Sequence, residues 1–167
     1  MERDSLYQAF HPNIGADERR IEGILLEYID EFRRLPPFDP HLKLKKSLQV
    51  LFPDIPENQV QVLDVVHEHI KTPYVRAGLM VGQFHARCDV RGIHNPGFRP
   101  SRSPYPLVAM RHMETHDIVF LADGNHPEWF AEYNARFGDG FKDPDKLDEK
   151  GRTLLRFYVA ARKAYIS

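Results

Sequence analysis

Histidine and arginine side chains are concentrated in one stretch of the chain, residues 78–121, where lysine is absent. Guanidinium groups bind carboxylates and phosphates through paired hydrogen bonds, and imidazoles transfer protons or ligate metal ions. We therefore predict that the functional site lies in this stretch. It contains His85, His94, His112 and His116, together with Arg87, Arg91, Arg99, Arg102 and Arg111.

Three of these histidines, His85, His94 and His112, are the candidate catalytic residues. His85 ends a buried apolar segment at 78–85, and His112 follows another at 107–110. If these segments are neighbouring strands, both imidazoles enter one cavity at the sheet edge, and His94 lies in the loop that would close over it. The alternative is structural, because a histidine at a strand end often only satisfies loop carbonyl groups.

Arg99, Arg102 and Arg111 are candidates for binding a carboxylate or phosphate group, since a guanidinium binds either one bidentately. Two of them lie in the long segment 86–104, which we expect to be an ordered, functional loop. Such a loop exposes many backbone carbonyl groups, and arginine is suited to binding them. Anion binding and stapling of the loop are therefore equally compatible with the sequence.

Two patterns predict metal ligation. His112 and His116 are four residues apart, a spacing that places two imidazoles on one face of a helix, although this segment directly follows a strand. His85, His112 and Asp117 would form a two-histidine, one-carboxylate iron site. The single cysteine, Cys88, excludes an internal disulfide and a zinc cluster built from cysteines, and we interpret it as incidental.

The spacing of apolar residues predicts both helices and strands. Their order indicates an α+β (or α/β) fold, with a small sheet of about three to four strands covered by about four helices. We expect residues 1–16 to be an N-terminal arm and residues 17–167 to be a single domain. The predicted helices are 16–35, 57–71, 126–137 and 146–165, and the predicted strands are 44–52, 78–85 and 107–110.

Composition and charge are those of a soluble globular protein. Apolar residues make up 42% of the chain, charged residues make up 28%, and the net charge is -1. A balanced charge gives no general attraction to nucleic acid or anionic membranes, so we expect neither as a partner. The first residues lack the apolar run of a signal peptide, and no segment approaches about 18 apolar residues, so we expect a cytoplasmic protein.

Several sequence blocks resemble an uncharacterised bacterial family that carries a domain of unknown function. The blocks are LFPDIP, GLMVGQFH, GIHNPGFRPSRSPYPLVAMRHM and DIVFL, and the resemblance covers residues 48–138. Members often lie in biosynthetic gene neighbourhoods, which implies an enzyme of specialised metabolism. The resemblance adds Asn95 and Ser103 to the candidate substrate- or cofactor-binding residues, since both lie in the matching blocks. Typical members also carry an upstream Cys-Pro-Phe segment, which this sequence lacks.

The layout also resembles the YqcI/YcgG-like family, some members of which are heme-dependent N-hydroxylases. This resemblance implies that His85 or His112 ligates iron and that arginines pair with heme propionates. The leading hypothesis is an oxidative enzyme, with heme or non-heme iron, that acts on a carboxylate-bearing small molecule and could form a homodimer. One alternative is a non-catalytic binding or accessory protein whose arginine-rich loop holds an acidic ligand or partner. Another is a metal-independent enzyme that uses histidine for acid–base catalysis.

Overall fold

A computed structural model of the chain describes residues 5–92, 95–122 and 124–165. The chain divides into two compact units, residues 1–112 and 113–167. The described residues form a four-stranded mixed sheet and five α-helices. The predicted α+β class is confirmed. None of the helices in the described ranges combines the length and apolarity that crossing a membrane requires.

The sheet lies in the first unit. Its strands are β1 (Leu6–Phe10), β2 (Ser47–Leu51), β3 (Leu79–Phe84) and β4 (Leu107–His112). Their order across the sheet is β1-β2-β4-β3. β1 is parallel to β2, whereas β4 is antiparallel to both of its neighbours. The last strand in the sequence is therefore an inner strand that joins β2 to β3.

Two long helices, α1 (Glu18–Arg34) and α2 (Val62–Arg76), pack with the sheet to form the core of the first unit. The side chain of Asp17 starts α1 by accepting a hydrogen bond from the backbone N–H of Arg20. Alternate residues of the inner strands point into this core, as the buried Val50 and Val108 do. A slip of one residue would turn these side chains outward, so the core fixes the register of the strands.

Residues 6–10, which the sequence assigns to an N-terminal arm, form β1. Tyr7 and Ala9 pack against the core, whereas Leu6 and Phe10 are exposed. A segment of this length gives only a weak signal in the sequence. Its pairing partner β2 lies about 40 residues away, across the crossover that a parallel pair requires.

α2 continues through Pro73, whereas the sequence predicts a helix that ends at residue 71. A proline inside a helix removes one backbone hydrogen bond and costs about 3 kcal/mol. The helix continues because Tyr74 and Val75 are buried, and the Tyr74 hydroxyl donates to the backbone carbonyl of Leu25 at 2.6 Å. Tertiary packing therefore outweighs the local preference of proline.

The second unit contains α3 (Ile118–Leu121), α4 (Pro127–Phe137) and α5 (Glu149–Tyr165). Aromatic side chains hold α4 against α5. The ring of Phe130 lies 5.7 Å from that of Tyr158 and 5.9 Å from that of Tyr165, measured between centroids. Aromatic contacts of this kind provide a core for a unit that has no strands among its described residues.

Candidate metal centre

The end of β3 and the start of α2 bring an aspartate, a glutamine and a histidine together. Gln83 and His85 lie two residues apart, so both point to the face of β3 that packs on α2. Asp64, in the first turn of α2, accepts a hydrogen bond from Nε2 of Gln83 at 3.0 Å. The same carboxylate oxygen lies 3.1 Å from Nε2 of His85. These two contacts fix the carboxylate and the imidazole relative to each other.

Cys88 completes a cluster with these residues. The backbone N–H of Cys88 donates to the carbonyl of His85 at 3.1 Å, which closes a turn directly after β3. One ligand atom each from Asp64, His85 and Cys88 lie within 4.8 Å of one another. Carboxylate, imidazole and thiolate groups are all ligands of zinc and iron in proteins. We call these three residues the Asp-His-Cys cluster, and it includes Cys88, which the sequence analysis interprets as incidental.

The Asp-His-Cys cluster is buried on one side and open on the other. The side chain of His85 is fully buried and Cys88 is 1% exposed, whereas 41% of the Asp64 side chain is exposed. The Nδ1 atom of His85 is buried and has no hydrogen-bond partner among the described residues. A buried polar atom without a partner costs about 1–3 kcal/mol. The imidazole carries this cost at Nδ1, whereas its other nitrogen, Nε2, contacts Asp64.

Two of the predicted anion-binding arginines hold the loop between β3 and β4. Arg99 donates hydrogen bonds to Asp89 at 3.0 Å and to the backbone carbonyl of Pro96 at 2.6 Å. Arg102 donates to the carbonyl of Cys88 at 3.2 Å and to Asp89 at 3.3 Å. The hydrogen bond and the charge of Arg99 lower the pKa of Asp89. The arginines thus staple the loop, which is one of the two roles that the sequence allows.

His112 lies at the opposite end of the sheet from His85. In the antiparallel pair of β3 and β4, His112 is opposite Leu79, the first residue of β3, whereas His85 follows the last residue of that strand. The segment from Leu79 to His85 spans about 20 Å at about 3.4 Å per residue. The strands are neighbours, as the sequence analysis supposes, but the two imidazoles do not enter one cavity.

The surroundings of His112 are apolar and positively charged. Its ring packs against the ring of Phe32, with 5.2 Å between centroids. Burial lowers the pKa of His112 to about 4, and the positive charges of Lys46, Lys43 and Arg33 contribute to the same shift. The imidazole is therefore neutral at neutral pH.

The other predicted binding residues make local contacts. Arg111 donates a hydrogen bond from Nη1 to the backbone carbonyl of His112 at 2.9 Å. The side-chain oxygens of Asn95 and Ser103 each accept a hydrogen bond from the backbone N–H two residues further along, at 3.0 and 3.2 Å. The contacts of Asn95 and Ser103 stabilise turns of the loop. His94 lies outside the described residues.

Asp117 lies in the second unit and is fully buried. Its carboxylate accepts a hydrogen bond from the backbone N–H of Glu114 at 2.7 Å. His116 lies beside both acids, 3.4 Å from Glu114 and 3.7 Å from Asp117. The predicted iron site of His85, His112 and Asp117 is not assembled, because its two histidines lie at opposite ends of the sheet.

The sequence analysis did not include Asp64, Gln83 or Cys88 among the candidate site residues. Two features of the sequence indicated Gln83 and Cys88. One is a His-x-x-Cys spacing directly after a strand, and the other is that the polar residues 83 and 85 share a strand face with the apolar Leu79 and Val81. The contact between Asp64 and His85 could not be predicted from the sequence, because it depends on which face of α2 packs on β3.

Comparisons of the chain with curated proteins and with solved structures gave no match. A comparison with protein families matched residues 1–148 to a domain of unknown function, and this range contains the Asp-His-Cys cluster and the whole stapled loop. The predicted resemblance to such a family is confirmed, whereas the likeness to a heme-dependent family stays a prediction. The chain belongs to the family defined by the domain of unknown function DUF6875.

Proposed function

We propose that the protein is a metalloenzyme whose Asp-His-Cys cluster holds one divalent transition-metal ion. The observation that carries this proposal is the convergence of three different ligand atoms, from Asp64, His85 and Cys88, within 4.8 Å of one another. Ligand atoms around a tetrahedral ion are about 3 to 4 Å apart, given metal–ligand bonds of about 2.0 to 2.3 Å. The observed separations, all within 4.8 Å, are close to these distances.

The three ligand types narrow the class of metal. A thiolate and an imidazole favour Zn²⁺ or Fe²⁺ over Mg²⁺ or Ca²⁺, which prefer oxygen ligands. Three protein ligands leave a coordination position for water or a substrate atom, as in catalytic rather than structural sites. When bound, the ion would supply Lewis acidity or, as iron, oxidative chemistry.

The burial of Cys88 supports the role of a ligand over that of a nucleophile. Only 1% of the residue is exposed, so a substrate has little access to its sulfur atom. A substrate can reach the cluster at Asp64, since 41% of the side chain of this residue is exposed. Gln83 holds the Asp64 carboxylate in place through its hydrogen bond of 3.0 Å. A ligand that is held in this way keeps its geometry when a substrate enters.

Arg102 is suited to binding an acidic substrate beside the cluster. Its side chain is 56% exposed and donates to the carbonyl of Cys88. Its ion pair with Asp89 is also exposed, and exposed ion pairs contribute only about 0–1 kcal/mol. A substrate carboxylate can therefore replace Asp89 at little cost. We propose a small carboxylate-bearing molecule as the substrate.

A single ion fits these residues better than heme does. Arg99, one of the expected propionate partners, has a side chain that is only 19% exposed and that binds Asp89 and the carbonyl of Pro96. His112, the other expected iron ligand, lies about 20 Å from His85 along the sheet. The proposal therefore keeps the metal and the oxidative chemistry that the sequence suggests but replaces heme with a mononuclear centre.

Metal binding can be measured without knowledge of the substrate. Protein purified under reducing, anaerobic conditions would be loaded separately with Zn²⁺, Fe²⁺ and Co²⁺, and its metal content would be determined by mass spectrometry. We expect about one ion per chain at this centre. With Co²⁺ we also expect a thiolate-to-metal charge-transfer absorption. Cys88→Ser should abolish this absorption, and His85→Ala should abolish binding.

A second group of potential ligands provides the control. Glu18, Glu22 and His69 also bring ligand atoms within 4.8 Å of one another, but on the exposed surface. A His69→Ala variant should bind metal as the unaltered protein does and keep the cobalt absorption. Loss of metal in His69→Ala, together with its retention in Cys88→Ser, would overturn the proposal. Circular dichroism would show that each variant is folded.

The pair of Asp64 and His85 favours one other function, acid–base catalysis without a metal. An aspartate 3.1 Å from one imidazole nitrogen can hold the tautomer in which the other nitrogen accepts a proton. This candidate predicts turnover of carboxylate substrates that a chelator does not change and that His85→Ala abolishes. The metalloenzyme instead predicts that chelation stops turnover and that added metal restores it.

A further inference from the structure

The second unit contains a cavity of about 210 Å³, which is lined mainly by residues of α4, of α5 and of the 3-10 turn Gly138–Phe141 that follows α4. We propose that Arg162 and Asn134 bind the carboxylate group of a small aromatic molecule in this cavity. The residues that line it all belong to the second unit, and none of them takes part in the metal centre. The proposal is therefore independent of the proposed function.

Arg162 provides the positive charge of this site. It lies in the last turn of α5 and lines the cavity. Among the residues that the structure describes, its guanidinium group has no hydrogen-bond or ion-pair partner. Arg99 and Arg102, by contrast, are held by Asp89 and by backbone carbonyl groups. The planar N–H groups of Arg162 are therefore free to bind both oxygens of a carboxylate.

A hydrogen bond in the cavity wall holds a second donor in place. The Tyr158 hydroxyl donates to Oδ1 of Asn134 at 2.5 Å, and both residues line the cavity. A methyl group on Gly138 would lie 2.6 Å from the same oxygen, so glycine at this position leaves room for the pair. The bond occupies the acceptor of the Asn134 amide, whereas the side-chain nitrogen has no partner within the described ranges. This nitrogen is a donor for one carboxylate oxygen.

The charges that line the cavity match a monoanion. Lys142 and Asp139 form an ion pair, with 2.6 Å between the ammonium nitrogen and a carboxylate oxygen, so their charges offset each other. The unpaired Arg162 leaves one net positive charge. A carboxylate supplies one negative charge, whereas a phosphate monoester carries about −1.5 to −2 at neutral pH. A carboxylate therefore neutralises the lining, and a phosphoryl group would leave negative charge uncompensated.

Two stacked rings give the cavity an apolar wall. The rings of Phe141 and Tyr158 lie 4.5 Å apart between centroids, with 18° between their planes, and each residue is 6% exposed. A ligand ring that packs beside them is removed from water and gains aromatic contacts. At about 30 Å³ per water molecule the cavity holds about seven waters, and it is smaller than the roughly 300 Å³ of the smallest drug-sized pockets. One ring that carries one carboxylate is a suitable size.

Benzoate is the probe for this cavity. Its binding to the whole chain, purified without added metal, would be measured by isothermal titration calorimetry and by NMR. We expect benzoate to bind, and benzamide and acetate to bind at least roughly tenfold more weakly, because benzamide lacks the charge and acetate lacks the ring. The NMR signals of the Asn134 amide and the Arg162 guanidinium should shift as benzoate is added. Failure of benzoate to bind would overturn the proposal, and so would equal binding of benzamide.

Arg162 has a matched control on the same helix. Arg156 is exposed and lies outside the cavity lining. Arg162→Gln should weaken benzoate binding about tenfold, because a bidentate charge-assisted contact is lost, whereas Arg156→Gln should weaken it less than about threefold. Circular dichroism would show that both variants are folded. Equal weakening by the two substitutions would indicate a general effect of charge and would refute the assignment.

A second pair of variants tests the charge balance of the lining. Lys142 and Lys146 each pair with the aspartate three residues earlier, at 2.6 and 2.8 Å, but of the two lysines only Lys142 lines the cavity. Lys142→Gln leaves the charge of Asp139 uncompensated and should weaken benzoate binding roughly threefold or more, whereas Lys146→Gln should leave it unchanged. The same affinity in both variants would contradict the proposed position of the carboxylate.

Arg102→Gln tests whether benzoate binds instead at the metal centre, where we propose that a substrate carboxylate binds. This variant should bind benzoate as tightly as the unaltered protein does. Loss of binding in Arg102→Gln, together with its retention in Arg162→Gln, would assign benzoate to the metal centre and overturn the proposal for the cavity. The metal content of the protein does not enter this comparison, so failure of one proposal is distinguishable from failure of the other.

Discussion

Replacing His112 with glutamine should make the free energy of unfolding less dependent on pH between about pH 6.5 and pH 4. Burial and three nearby cations lower the pKa of this imidazole to about 4, from an ordinary value of about 6.5 in the unfolded chain. In this pH range the unfolded chain binds a proton that the folded protein does not. The stability that His112 provides is therefore complete above about pH 6.5 and is lost as the pH falls towards 4.

The expected loss of unfolding free energy follows from the difference between the unfolded and folded pKa values of His112. For a fully buried group, this difference would correspond to a loss of roughly 3.4 kcal/mol. His112 is only partly buried, so solvent screens part of the charge effect, and we expect about 1 to 2 kcal/mol. The assay is urea denaturation of the unaltered protein and His112→Gln at pH 7.5 and pH 4.5. Effects of the other histidines cancel in the difference between the two proteins.

His41→Gln provides the matched control, since His41 is exposed in the connector after α1. This variant should lose as much stability between pH 7.5 and pH 4.5 as the unaltered protein. If His112→Gln also loses the same amount of stability, then His112 is not held in its neutral form, and the reasoning about its burial and its positively charged neighbours is wrong.

Three further substitutions test the packing directly. Lys46→Met should reduce the free energy of unfolding by about 2 to 4 kcal/mol, measured in urea at neutral pH, because two charge-assisted hydrogen bonds to the end of α1 are lost. Tyr74→Phe removes the buried hydroxyl that donates to Leu25 and should cost about 1 to 3 kcal/mol in the same assay; no loss would show that this contact adds nothing. Gly138→Ala places a methyl group 2.6 Å from the side-chain oxygen of Asn134, so the thermal midpoint should fall as about 1 to 3 kcal/mol of stability is lost. An unchanged midpoint would mean that Asn134 moves aside freely.

The sequence predicted the parts of the fold that depend on local pattern. The apolar spacing in α1 and α4 is regular, and the observed helices, Glu18–Arg34 and Pro127–Phe137, agree with prediction to within two residues. β1 and the extension of α2 past Pro73 were missed because both depend on tertiary contacts. A parallel partner far along the chain stabilises the first, and the buried side chain of Tyr74 stabilises the second.

The candidate site was predicted in part. The sequence placed it at the end of β3, and His85 lies there. It also assigned His112 to the same cavity, because both histidines adjoin strands that prove to be neighbours. An antiparallel pair, however, places the end of one strand beside the start of the other, so adjacency alone did not bring the two side chains together. The sequence does not indicate that Asp64 faces His85, since that contact depends on how α2 packs.

The position of β4 inside the sheet has a consequence for how the protein folds during synthesis. β2 and β3 are made first but do not pair with each other, because β4 lies between them. Until residues 107–112 have left the ribosome, β1 and β2 can form only a two-stranded ribbon, and β3 has no strand partner. Such incomplete sheets expose unpaired edges that favour aggregation. If the loop that Arg99 and Arg102 hold becomes ordered early, β4 would pair with β2 and β3 sooner, and the strand edges would remain unpaired for a shorter time.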